Sequence, residues 1–238
     1  MLKSAKSLYG NKLGATDGNI GHVKDLYFDD QDWKIRYLVV DTGDWLPGRQ
    51  VLIPPHVLGP AEPNSKILAV KLNKAKIENS PSIATHLPVS RQYEEEYYRY
   101  FGWPSYWIGE GMGAIVPSPI PGAGASDPTT PGALTPKGDP HLRATRAVEG
   151  YAIQGTDRVA GKVEDFLINQ QAWRICKLVI KTGHRFSGHE NEISTNLVQR
   201  ISYMDSTVFV NLTGEQLESP NPDRLAQMEK RPATLLPI

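Results

Sequence analysis

The stretch GHVKDLYFDDQDWKIRYLVVDTG, residues 21–43, returns as GKVEDFLINQQAWRICKLVIKTG, residues 161–183. The offset is 140 residues. Each copy holds two runs rich in β-branched and aromatic residues, parted by a short polar stretch, and so reads as a β-hairpin. In the first run the apolar spacing changes parity, from Val23 to Leu26 and Phe28, and from Val163 to Phe166 and Ile168. A strand keeps one face inward across such a jump only by inserting a residue. The spacing therefore predicts a β-bulge near Lys24–Asp25 and Glu164–Asp165. Bulges bend sheets, and bent sheets close small barrels.

The likeness extends outward. At the same offset, residues 10–80 align with 150–220 without a gap, and 18 of the 71 positions are identical. A repeat of this length signals two copies of one domain. In each copy further strands follow (QVLI, ILAVKLN and TVFVNLT). KAKIENSP and GEQLESP read as single helical turns ended by proline. Five or six short strands in about 70 residues suit a small barrel, giving an all-β chain with two barrels in tandem. Trp33 and Trp173 open equivalent strands, each with an isoleucine two residues on, and are expected to be equivalent core or near-core residues.

The order Asp-Gly, Ile-Gly-His-Val, Asp-Leu, then Trp-Lys-Ile-Arg-Tyr-Leu-Val-Val-Asp-Thr-Gly and Trp-Leu-Pro-Gly, resembles the PRC-barrel domain. That family includes the cytoplasmic part of the photosynthetic reaction centre H subunit and the C-terminal domain of the ribosome maturation factor. The resemblance covers residues 3–81 closely. It covers 147–220 with departures, TDRVAGKV and RFSGHENEIS. It implies a six-stranded barrel of adaptor type with no shared active site. One relative serves a membrane complex and the other the ribosome, so peripheral association with a membrane complex stays open. This chain shows neither the membrane anchor of the first nor the partner domain of the second.

The organisation expected is a PRC-type barrel over 1–81, a connector over 82–146, a divergent second barrel over 147–222 and a tail over 223–238. Within the connector, PVSRQYEEEYYRYFGWPSYW suggests a helix over about 90–101. Its early glutamates favour the helix dipole, and Gly102 and Pro104 stop it. Tyr93, Tyr97, Tyr100 and Phe101 put aromatic rings on one face. That face either packs on a barrel or meets a partner. The stretch 117–140 holds seven prolines and reads as an extended linker.

The 238-residue chain carries 26 basic and 26 acidic side chains, so no overall field draws it to phosphates and no nucleic-acid partner is expected. Its one cysteine, Cys176, excludes an internal disulfide and reads as a strand residue. No apolar run has transmembrane length, and MLKSAKSLYGNKLG lacks a signal-peptide core. The expectation is a cytoplasmic protein of bacterial type.

No pattern for chemistry is strong. The acids of FDDQDW lack the glycine and glutamate of a calcium loop, and the second copy reads INQQAW. Asp25 and Asp165 recur beside the bulges and are expected to accept backbone hydrogen bonds. His184 and His189 lack a third metal ligand. The spaced glycines of GEGMGAIVP meet a proline where a phosphate-binding helix should start. No enzyme, metal or cofactor is expected. Trp and Arg are common interface anchors. The candidate partner surface is Trp45, Arg49, Tyr97, Tyr98, Trp103 and Trp107, although Trp45 fits equally as a cap on its own barrel. The expected function is a non-enzymatic adaptor binding a protein partner or a second copy of itself. The alternative is a sensor with a small molecule or metal between the barrels.

Overall fold

A computed structural model describes residues 2–60, 65–81, 91–103, 141–183 and 189–219. The linker stretch 117–140, the tail 223–238, Trp107 and His184 lie outside these residues. The first repeat contains β1 (Leu2–Ser4), β2 (Lys12–Ala15), β3 (Gly18–Asp29), β4 (Ile35–Asp41), β5 (Gln50–Ile53), a 3-10 turn (Pro55–Val57), β6 (Ile67–Ala69) and α1 (Lys74–Glu78). The connector supplies α2 (Arg91–Phe101). The second repeat contains β7 (Leu142–Ala144), α3 (Thr145–Val148), β8 (Ala152–Gln154), β9 (Val159–Asn169) and β10 (Arg174–Thr182). It continues with β11 (His189–Ser194), a 3-10 turn (Thr195–Leu197), β12 (Val198–Ser202), β13 (Thr207–Val210) and α4 (Gly214–Glu218).

The chain is mostly β and forms two sheets, one per repeat. The first runs β5-β4-β3-β2-β6 and the second β11-β10-β9-β8-β13-β12. In each, the 3-10 turn links one end of the sheet back toward the other. In the first repeat the return is made by the bridge between Leu58 and Val70, in the second by β12 on β13. The long strands β3 and β9 each slip register opposite the bulge positions, between Val23 and Asp25 and between Val163 and Asp165. The inserted residue lets Val23, Leu26 and Phe28 all face the core, where none is more than 1% exposed.

The shared glycine before the bulge has a steric cause. Gly21 adopts φ +133°, and a Cβ there would lie 2.0 Å from the Asp41 carbonyl oxygen. The shared Thr-Asp pair has a capping cause. Asp17 accepts a hydrogen bond from the Lys74 N–H at 2.8 Å, and Asp157 from the Gly214 N–H at 2.7 Å. Each carboxylate thus satisfies an orphan donor at the start of α1 or α4.

The first strand of each repeat does not join its own sheet. β1 pairs antiparallel with β9, Leu2 opposite Asn169 and Ser4 opposite Leu167. β7 pairs with β3, Leu142 opposite Asp29 and Ala144 opposite Tyr27. The two pairings are the same contact at the same 140-residue offset, so the repeats exchange strands reciprocally. Segment 142–146, placed with the connector by sequence, is structurally part of the first barrel.

The buried apolar residues form one core cluster drawn from both repeats. At the junction the Phe28 ring lies 5.6 Å from Trp33, stacked, and 5.7 Å from Phe166 of the other repeat. The bulge carboxylates also work across the junction. Asp25 accepts from the Leu26 N–H at 2.7 Å, the Arg146 N–H at 3.2 Å and the Thr145 hydroxyl at 2.8 Å. Asp165 accepts from the Phe166 N–H at 2.8 Å, the Lys6 N–H at 3.2 Å and the Ser4 hydroxyl. The backbone-acceptor role expected of both aspartates is thus present, and it ties down the exchanged segments.

Candidate functional site

The tip of each β-hairpin meets the other across the pseudo-two-fold. Trp33 and Trp173 both have positive φ, 61° and 45°, which bulky residues rarely adopt. The turn aims each carbonyl at the opposite repeat. Ile175 N–H donates to the Trp33 carbonyl at 2.8 Å, and Ile35 N–H donates to the Trp173 carbonyl at 2.7 Å. The side chains then diverge. Trp33 is 6% exposed and packs in the core. Trp173 is half-buried, packed against the core and lining a cleft, so Trp33 is core and Trp173 near-core.

That cleft has a volume of about 720 Å³ and lies at the junction. Its floor and one wall come from the first barrel, through Arg36, Pro54, His56 and Leu58. The hairpin tip Gln170–Trp173 of the second barrel faces them, and Tyr98 of α2 closes the side. Gln170 Nε2 is buried and has no hydrogen-bond acceptor among the described residues. Burial pushes His56 below the ordinary imidazole range. Its ring meets Trp103 edge-on at 4.8 Å. Arg36 is held at 2.8 Å from Asp29 and 3.4 Å from Asp32, and Lys34 at 3.2 Å from Asp32.

The residues singled out by sequence are brought only partly to this cleft. Tyr97 and Tyr98 are 1% and 5% exposed. Tyr97 donates its hydroxyl hydrogen bond to the Leu52 carbonyl. Tyr98 lends the cleft an edge, and Tyr97 lends it nothing. This corrects the expectation that both form an open partner surface, because the helix lays them on the first barrel. Glu94 follows them inward and accepts from Tyr37 Oη at 2.7 Å. Trp103 is half-buried, stacked on Phe101 at 4.2 Å.

Arg49 is committed elsewhere. Its guanidinium donates to the Glu78 and Ser80 carbonyls at the end of α1, which satisfies helix-terminal acceptors and removes it as a free anchor. Trp45 packs against its own barrel with Lys74 Nζ 4.6 Å over the ring, as the capping reading expected. It borders a shallow second depression of about 390 Å³ that also holds His22 and Asp44. Gln170 and Trp173 were not among the candidates. The sequence carries no signal for them beyond a hairpin loop whose acids are missing.

Among the described residues no group of three or more His, Cys, Asp or Glu is placed to hold a metal. Cys176 lies half-buried in β10. No helix of the described residues is long and apolar enough to cross a membrane.

The bulged hairpin, the glycine against the Asp41 carbonyl and the capped terminal turn all fall within residues 4–78, and that span matches the PRC-barrel domain family. Residues 4–78 form a PRC-barrel domain. The match ends there, and the second repeat shares its structure, with the strands β1–β6 and the turn α1 recurring at the 140-residue offset. No curated protein matches the chain.

Proposed function

We propose that this protein is a non-enzymatic adaptor whose two barrels present the junction cleft to an extended segment of a partner protein. One observation carries the reading. The cleft is composite, assembled from the first barrel, the hairpin tip of the second and α2, and absent from any one of them alone. A partner seated there reads the assembled pair of barrels. The cleft is open and edged with proline, aromatic and aliphatic side chains, features that suit extended peptide recognition.

A small organic ligand is the second reading. A volume of about 720 Å³ falls within the range of small-molecule pockets, roughly 300–1,000 Å³. One experiment separates them. Full-length protein and its Trp173→Ala variant are purified from the native host, and the retained species are compared by native mass spectrometry. A protein whose recovery falls at least tenfold with the variant supports the adaptor. A retained non-peptide mass lost with the variant supports the ligand reading. Recovery of the same species by both proteins rejects the cleft as the functional site.

A further inference from the structure

The cleft has an electrostatic character that its shape does not reveal. Of the described residues that line it, none is an aspartate or glutamate, while Lys34 and Arg36 are both present. Arg174 is bridged to Lys34 across the pseudo-two-fold and is exposed. Behind the lining, Asp29 and Asp32 face Lys34 and Arg36. Asp30 is already matched by Arg143 at 2.9 Å and His141 at 2.9 Å. None of these carboxylates lines the cleft, and Arg174 adds a further exposed cation at its edge. His56, depressed by burial, adds no charge at neutral pH.

Around these cations the walls are apolar: Pro54, Pro60, Leu58, Tyr98 and the indole of Trp173.

We propose that the segment taken by the cleft is acidic, with carboxylates flanking an apolar or aromatic residue. The carboxylates meet the exposed Lys34 and Arg174 edge, and the apolar side chain lies against Trp173 and Tyr98. The inference rests on the adaptor reading and specifies its partner by chemistry. Both Lys34, with 56% of its side chain exposed, and Arg174 are open enough for an incoming carboxylate. Pairs at such exposure are screened by salt, so the preference weakens as ionic strength rises.

The test is selection from a randomised, surface-displayed hexapeptide library on the immobilised full-length protein. The expected result is enrichment of aspartate or glutamate beside an aromatic or aliphatic residue. A selected peptide, resynthesised with a fluorescent label, should bind at least tenfold more weakly to Lys34→Glu/Arg174→Glu. It should also bind several-fold more weakly to the unaltered protein at high salt, a readout that needs no variant. Enriched peptides lacking acidic bias, or salt-independent binding, would overturn the charge assignment while leaving the adaptor reading intact. Failure of every peptide to enrich above the unselected library would sink both.

Discussion

Trp33 and Trp173 stand in the same left-handed backbone conformation, and each offers its carbonyl to the isoleucine that follows the other. Strain of this kind costs on the order of 1–3 kcal/mol at each residue and persists only where the surroundings impose it. Here the surroundings are the opposite repeat. The conformation and the docking of the barrels support one another.

The two tryptophans should therefore respond differently to truncation. Trp33→Ala empties a core position and should cost about 3–5 kcal/mol. Trp173→Ala removes a half-buried ring and should cost about 1–2 kcal/mol, a discounted share of full burial. Chemical denaturation measures both. Equal losses would show that the indole of Trp173 is as much core as that of Trp33.

Strand exchange makes an unusual prediction about location. Deleting residues 2–4 removes a strand of the first repeat, yet the damage should appear in the second. Hydrogen exchange should quicken at Leu167–Asn169, the stretch of β9 that β1 covers, while the β2–β3 ladder keeps its protection. Faster exchange confined to the first barrel would contradict the exchange.

The bulge aspartate gives a pH signature. Burial pushes the Asp25 carboxyl above its ordinary value of 3.8, against hydrogen bonds from Thr145, Arg146 and Leu26 that pull it down. A raised folded pKa means the folded state holds the proton more tightly than the unfolded chain. Its contribution is full below about pH 4 and is lost as the pH rises through the folded pKa. Asp25→Asn should thus gain ground on the unaltered protein as the pH rises above about 4. Asp29 works the other way. Burial raises its pKa, but the Arg36 hydrogen bond and backbone donors outweigh burial and hold it below 3.8. Its contribution is present above that value and fades as pH falls further. Asp29→Asn should then fall behind as pH climbs out of the acid range. Denaturation midpoints across pH test both, and slopes of the same sign would refute the assignment.

The helix α2 should be structural. Tyr97→Ala removes a fully buried ring and its hydroxyl bond to Leu52, and should cost about 3–5 kcal/mol. Tyr97→Phe leaves the Leu52 carbonyl without that donor and should cost about 1–2 kcal/mol. Thermal denaturation compares them. Neither variant should alter peptide binding in the cleft while the protein is folded, because Tyr97 does not line it.

Some of this was plain in the residues. The parity change from Val23 to Leu26 located the bulge, because strand periodicity leaves no other way to keep both side chains inside. Aromatic spacing in 93–101 showed that a helix had a sticky face, and the helix over 91–101 followed. What such spacing does not carry is the identity of the cover. A barrel of the same chain and a partner demand the same amphipathic pattern, so Tyr97 and Tyr98 read alike for both. The exchange was invisible for another reason. Three-residue strands such as Leu2–Ser4 have no measurable period, and nothing local says which of two matching edges they join. The cleft was hidden because Gln170 and Trp173, His56, and Tyr98 come from three separate stretches that only the docked barrels bring together.

Among the described residues a helix packs on the first barrel and none in its place on the second, which has a consequence for counting. Two identical barrels exchanging strands about a true two-fold would carry paired, equal clefts, and would take up two occupants. Joining the repeats in one chain frees each side to diverge. Tyr98 supplies its wall to the cleft beside the Pro54–Leu58 corner, while the Ser194–Val198 corner of the second barrel has no equivalent of that helix among the described residues. The fused pair should therefore saturate at a stoichiometry of one.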